Sequence, residues 1–168
     1  MKTAEGERKA AQRKPATALS TAVRLLSARP YSERKLREKL TRKFSREEID
    51  YAIQRLKDER LLNDRKYAED FVRARLAARP RTGVALLRDL FQRGVPRTIA
   101  QDVVKELAPK ESDEKLAREL VRRKATHYAG LDEQTRWRRL SSFLARRGFS
   151  FDVIQKVLRL PPEGETEE

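Results

Sequence analysis

A chain of 168 residues with no cysteine and a single histidine has no means to build a disulfide framework, a thiolate metal site or a paired-histidine catalytic centre. Forty Lys and Arg against 26 Asp and Glu give a net charge of +14 and a pI near 10.4, which points to a polyanionic partner, because cations gain free energy by releasing counterions from phosphates. The hydrophobic share, 38%, is low for a compact globule, and no apolar run approaches the ~18 residues that span a bilayer.

Residues 1–16 carry five Lys/Arg and two Glu with no apolar core, so they read as a disordered basic tail rather than a secretory signal. Helical periodicity then dominates. In residues 17–62, Leu19, Ala22, Val23 and Leu26 share one face of a first helix. Ser32 caps a second that carries Leu36 and Leu40. Ser45 and Glu48 have the capping-box spacing that opens a third, with Ile49, Ile53 and Leu56 inward. In residues 63–110, Asp64 is the expected cap of a fourth helix with Tyr67, Ala68, Phe71 and Val72. Thr82 caps a fifth with Leu86 and Leu90, Gly94 ends it in the left-handed conformation, and Pro96 starts a sixth with Ile99, Val103 and Leu107. In residues 111–160, following Pro109 and Ser112, a seventh helix bears Leu116, Leu120 and Val121. Gly130 and Asp132 separate it from an eighth with Trp137, Leu140 and Leu144. Gly148 and Ser150 then lead to a ninth with Val153, Val157 and Leu160. Residues 161–168 carry four Glu and read as an acidic tail.

The chain also repeats. Ala28-Arg29-Pro30, Leu36 and Leu40 recur 50 residues later as Ala78-Arg79-Pro80, Leu86 and Leu90, and Leu140 and Leu144 echo the pair again. A period of this length describes stacked supersecondary units. The expectation is an all-α fold of three tandem three-helix repeats forming an elongated, curved rod, and such arrays more often bind large partners than perform chemistry.

The residues offer little to a catalyst. His127 stands alone in a helical stretch, where a histidine is usually structural or solvated, and the glycines form neither a Walker loop nor a dinucleotide fingerprint. Carboxylates such as Glu38 and Asp70 alternate with bases at helical spacing, as solvated surface pairs do. No enzyme activity, cofactor or metal is therefore expected. The basic residues are more informative. At 100° per residue, Arg138, Arg139 and Arg146 face away from the stripe of Trp137, Leu140 and Leu144, with Arg136 and Arg147 beside them. Arg122, Arg123 and Lys124 add charge to the same repeat, and Arg73, Arg75, Arg79 and Arg81 surround the second Arg-Pro. These twelve are the candidate partner or nucleic-acid contacts, since the guanidinium fork suits phosphates and carboxylates alike. A purely solubilising face is the bland alternative. Trp137 and Phe149 could stack on bases, but their helical spacing from Leu and Val favours core packing; Tyr31 and Tyr128 are less constrained.

Three segments carry a resemblance. Ser32-Glu33 with Leu36, Leu40, Phe44-Ser45 and Ile49, then Leu61-Leu62-Asn63-Asp64-Arg65-Lys66-Tyr67-Ala68 with Phe71-Val72 and Arg75, then Phe143-Leu144-Ala145-Arg146-Arg147-Gly148-Phe149-Ser150 resemble, in order, signatures of the RecX family of regulatory proteins. Two departures stand out: Lys43 precedes Phe44 where the family usually has glycine, so that helix must end another way, and 79–83 differs from the family's glycine-led turn. The resemblance implies three three-helix repeats. It also implies a protein that binds the RecA recombinase filament on single-stranded DNA and lowers its ATPase and strand exchange, within recombinational DNA repair and the SOS response; the absence of cysteine fits a reducing cytoplasm, and a monomer is expected. Direct affinity for single-stranded DNA is expected to be weak. A stand-alone helix-turn-helix-like regulator of duplex DNA remains the alternative.

Overall fold

The computed structural model describes residues 16–109 and 113–158, so the two expected tails, except Ala16, lie outside the described residues, as do Ser112 and Leu160. The described residues form nine α-helices and no strand: α1 (Ala18–Ala28), α2 (Glu33–Leu40), α3 (Arg46–Asp58), α4 (Asp64–Ala78), α5 (Gly83–Gln92), α6 (Arg97–Leu107), α7 (Asp113–Ala125), α8 (Glu133–Ala145) and α9 (Phe151–Leu158). A 3-10 turn, Thr126–Tyr128, follows α7. Two compact units result. Among the described residues, one holds those up to Tyr67 together with Arg93–Val95; the other holds Ala68–Gln92 and those from Pro96 onward.

In the first unit the helix starts are made by side chains. Thr17 and Ser20 form a capping box at α1, the Ser32 hydroxyl accepts from the Lys35 amide at α2, and Ser45 and Glu48 form a capping box at α3. Each satisfies amides that the first helical turn leaves without partners. The core gathers Ala22, Leu36, Leu40, Ile49, Ile53, Leu56 and Leu62, with Leu19, Leu25, Leu26 and Phe44 packed against it. Val23 does not join: it is 40% exposed. A residue next to Ala22 is rotated by 100°, beyond the stripe that Leu19, Ala22, Leu25 and Leu26 already fill.

The helix ends differ in kind. After α2, the amides of Lys43 and Phe44 both donate to the Leu40 carbonyl, at 2.9 and 3.2 Å, and Lys43 keeps a negative φ, so the missing glycine is replaced by a tight right-handed turn. After α3, Arg60 takes φ +56° and the Leu61 amide reaches back to the Leu56 carbonyl at 2.8 Å, as in a Schellman ending. Asp64 is not the cap of α4. Asn63 is, its Oδ1 accepting from the Lys66 amide at 3.0 Å, while Asp64 is the first residue of the helix and its carboxylate accepts from the Glu33 amide at 2.8 Å, tying it to the start of α2.

In the second unit, Ala68 and Val72 of α4 are buried; Leu86 and Leu90 of α5 and Val103 of α6 are buried too, and α5 packs on α6. Helices α7, α8 and α9 pack together around Ala117, Leu120, Leu144, Phe149 and Ile154. Phe149 is thus a core residue. Trp137 is half-buried, with an indole Nε1 that is out of contact with solvent.

Candidate functional site

The site begins at a joint between loops far apart in sequence. Thr82 caps α5 by accepting from the Ala85 amide at 3.3 Å. Its own hydroxyl donates to the Gly148 carbonyl at 3.0 Å, and its amide donates to the Arg147 carbonyl at 3.2 Å. Gly148 can offer that carbonyl because it turns at φ +91°, a conformation that side-chain-bearing residues rarely adopt. The joint fastens the Arg79-Pro80-Arg81 loop beside the turn that ends α8. Two arginine clusters separated by more than 60 residues of chain therefore meet.

Arg147 lies at the centre. Its guanidinium sits over the Phe143 ring, 4.1 Å from the centroid, and its Nε is buried without a hydrogen-bond partner among the described residues. Burial, then the positive charges of Arg79, Arg81 and Arg146, hold its pKa below the ordinary guanidinium value. Arg81 holds the Asp89 carboxylate at 2.7 Å, which Arg75 approaches at 3.9 Å. Arg75 also lies over the Phe71 ring at 5.3 Å. Arg79, Arg146 and Arg147 form no ion pair with a described residue.

A second group forms around the 3-10 turn. Lys124 Nζ lies 5.7 Å and Arg139 Cζ 5.9 Å from the centre of the Tyr128 ring, within cation–π range. Arg138 and Arg139 are exposed on α8, Arg122 and Arg123 on α7 and Arg73 on α4, while Arg136 is half-buried; none of them is among the charges that act on Arg147. The first unit treats its cations differently. Arg37 bridges Glu33 and Asp50, Lys57 reaches Glu33 at 3.0 Å, and Lys35 and Arg55 hold Glu38 and Glu59 at 2.7 and 2.8 Å. Burial favours a proton on Glu33, but its bonds to Arg37 and Lys57 outweigh that and lower its pKa. Repeated sequence therefore does not mean repeated electrostatics.

Sequence reasoning singled out the arginines but missed their fixtures: Phe143 under Arg147, Asp89 paired with Arg75 and Arg81, and Tyr128 near both Lys124 and Arg139. The Arg81–Asp89 spacing of eight belongs to no helical pairing rule, because the two meet only through the turn at Thr82. His127 is exposed, with Nδ1 3.4 Å from the Thr126 hydroxyl. Among the described residues no group of three His, Asp or Glu side chains is placed to hold a metal, and no helix is long and apolar enough to cross a membrane.

Comparison with known proteins agrees with this architecture. RecX family models match three consecutive stretches: the first three-helix domain over residues 18–56, the second over 63–104 and the third over 111–158. A regulatory protein RecX of Trichlorobacter lovleyi is 39% identical over 149 residues, covering 85% of this chain and 94% of its own. One from Amycolatopsis mediterranei is 36% identical over 140 residues, covering 80% and 79%. The crystal structure of RecX from Lactobacillus salivarius superposes with a TM-score of 0.64 at 24% identity, over 84% of this chain and 92% of that one. A second RecX crystal structure gives 0.69 at 22% identity, over 85% and 72%. These neighbours share the all-α repeat fold, and the relatives bear the name of regulators. On the strength of three ordered domain matches and relatives that span most of its length, this chain belongs to the RecX family of regulatory proteins.

Proposed function

We propose that this chain acts as a monomer in the cytoplasm, without cofactor or chemistry of its own, by docking along the RecA recombinase filament on single-stranded DNA and inhibiting its ATP hydrolysis and strand exchange. The observation that carries the reading is the ordered match to all three RecX domains over residues 18–158. The second unit adds support. Its arginines at 79, 138, 139, 146 and 147 are left without ion pairs to described residues, as a surface reserved for an external anion would be. Three repeats, taken as residues 17–62, 63–110 and 111–160, supply several weak contacts to adjacent subunits of a polymer, and linking such contacts raises avidity without any one being strong. The remaining candidate cations, Arg73, Arg75, Arg81, Arg122, Arg123, Lys124 and Arg136, extend that basic surface.

The deciding experiment is steady-state ATP hydrolysis by a pre-assembled filament. Excess protein is expected to depress it in a concentration-dependent way. Unchanged hydrolysis, together with a duplex site preference of about 10³-fold that survives moderate salt, would instead assign the chain to stand-alone duplex regulation.

A further inference from the structure

Arg139, within α8, and Arg146, its C-cap, share one face of the helix. Arg139 and Arg146 are seven residues apart, which places them two turns apart on one face, about 10.5 Å along the axis. Arg139 and Lys124 both lie within 6 Å of the centre of the Tyr128 ring. Around Arg147, the next residue after Arg146, gather the charges of Arg79, Arg81 and Arg146. Crowding guanidiniums costs a folded chain free energy through like-charge repulsion. Here the crowding is enforced by neutral fixtures: the Thr82 bonds to Arg147 and Gly148, and the Phe143 ring under Arg147. Asp89 balances one charge, shared between Arg81 and Arg75. The cluster is held in place yet lacks enough negative charge of its own.

We propose that this stripe seats about three nucleotides of single-stranded DNA: a base stacks on Tyr128, and successive phosphates pass Arg139 to reach the cluster of Arg79, Arg81, Arg146 and Arg147. The proposal rests on the reading above that single-stranded DNA is a partner, and it assigns that contact to particular atoms. The length fits, because a stacked strand advances about 3.4 Å per nucleotide, so 10.5 Å spans about three steps. The aromatic ring decides between ligand classes. An acidic protein segment would need only the guanidiniums, whereas a half-exposed ring set among cations provides a π-face for any base. All the contacts are to phosphates or to a ring face, so the seat does not discriminate between sequences.

The test uses the full chain alone, without recombinase, and a fluorescein-labelled oligothymidylate titrated at several salt concentrations. Arg79→Ala with Arg146→Ala is expected to reduce the slope of log K against log salt by about 1.4, or about 0.7 for each phosphate no longer neutralised. The corresponding double lysine variant should keep the slope. Tyr128→Ala should weaken binding about fivefold or more at fixed salt with its slope unchanged, while Tyr128→Phe keeps affinity. Arg42→Ala with Lys43→Ala, in the first unit, should change neither quantity. An unaltered slope for the alanine pair in a protein with a wild-type melting profile overturns the proposal, as does wild-type affinity for Tyr128→Ala. Loss of filament inhibition by the alanine pair with an unaltered DNA slope would also overturn it, by assigning the cluster to an acidic protein surface. A reduced slope in a protein that never inhibits the filament would uphold the seat and defeat the filament reading.

Discussion

The hydroxyl of Thr82 donates to the carbonyl of Gly148, 3.0 Å away in space and 66 residues along the chain. The same device occurs in the first unit, where the Ser32 hydroxyl donates to the Arg93 carbonyl just before Gly94, which turns at φ +82°. Ser32 and Thr82 are 50 residues apart and each also caps its own helix. One hydroxyl thus serves twice in each of the first two repeats: it starts a helix and fastens that start to a glycine turn in the following repeat. Both hydroxyls are buried, so the bonds replace hydration rather than adding to it.

Gly148→Ala is therefore expected to be strongly destabilising. A Cβ there would lie 2.6 Å from Thr82 Oγ1 and 2.8 Å from Ala85 Cβ, on a backbone at φ +91°. The left-handed conformation alone costs about 1–2 kcal/mol, and the clash adds to it. Gly130→Ala is the control, because a Cβ at Gly130 meets nothing within 4 Å and its φ is not positive; it should be neutral or gain about 0.4–1 kcal/mol by stiffening the unfolded chain. Urea unfolding of both variants separates the two outcomes.

Thr82→Val keeps the shape but removes the hydroxyl. The Gly148 carbonyl and the Ala85 amide would each be deprived of a partner in a buried setting, at a cost of about 1–3 kcal/mol. Thr82→Ser should restore most of it. Hydrogen exchange at the Ala85 amide offers a local readout, with protection falling in Thr82→Val and holding in Thr82→Ser.

Leu144→Ala should act through folding alone. The side chain is fully buried in the cluster of α7, α8 and α9, so truncation is expected to cost about 2–5 kcal/mol. Val23→Ala, at a 40% exposed position, should cost well under about 1 kcal/mol in the same denaturant titration.

Asp64 and Glu33 should oppose each other in their response to pH. Burial, the leading cause, raises the Asp64 pKa despite its bond from the Glu33 amide. The folded chain therefore holds this proton more tightly than the unfolded chain. The contribution of Asp64 is complete at low pH and is lost as pH rises from about 3.9 through its raised value. Glu33 is lowered, so its contribution is present above the ordinary glutamate value and is lost as pH falls through its depressed one. Asp64→Asn retains an acceptor for the Glu33 amide but does not titrate. Its stability relative to the parent chain should improve as pH rises from about 4 to about 7, and a difference that stays constant across that range would contradict the assignment.

Much of this was legible in the residue order. Ser32, Ser45 and Thr82 announce helix starts because a hydroxyl just before an apolar period has an amide to satisfy, and Gly94 and Gly148 announce ends because only glycine turns left-handed without strain. Leu36, Leu40, Ile53, Leu56 and Leu144 are buried because their spacing puts them on one face. Asp64 was misread for a physical reason. Local spacing identifies a residue able to cap but cannot show that the adjacent Asn63 caps α4 while Asp64 reaches the start of another helix.

By itself the sequence determined an all-α chain of repeated three-helix units and an excess of positive charge, with no cysteine and one histidine to offer to chemistry, because periodicity, caps and composition act over a few residues. Only the tertiary structure decided which arginines act together. Arg81 and Arg147 are brought close by Thr82 and Gly148 across 66 residues, and electrostatic interaction depends on distance through space, which no local pattern of residues encodes.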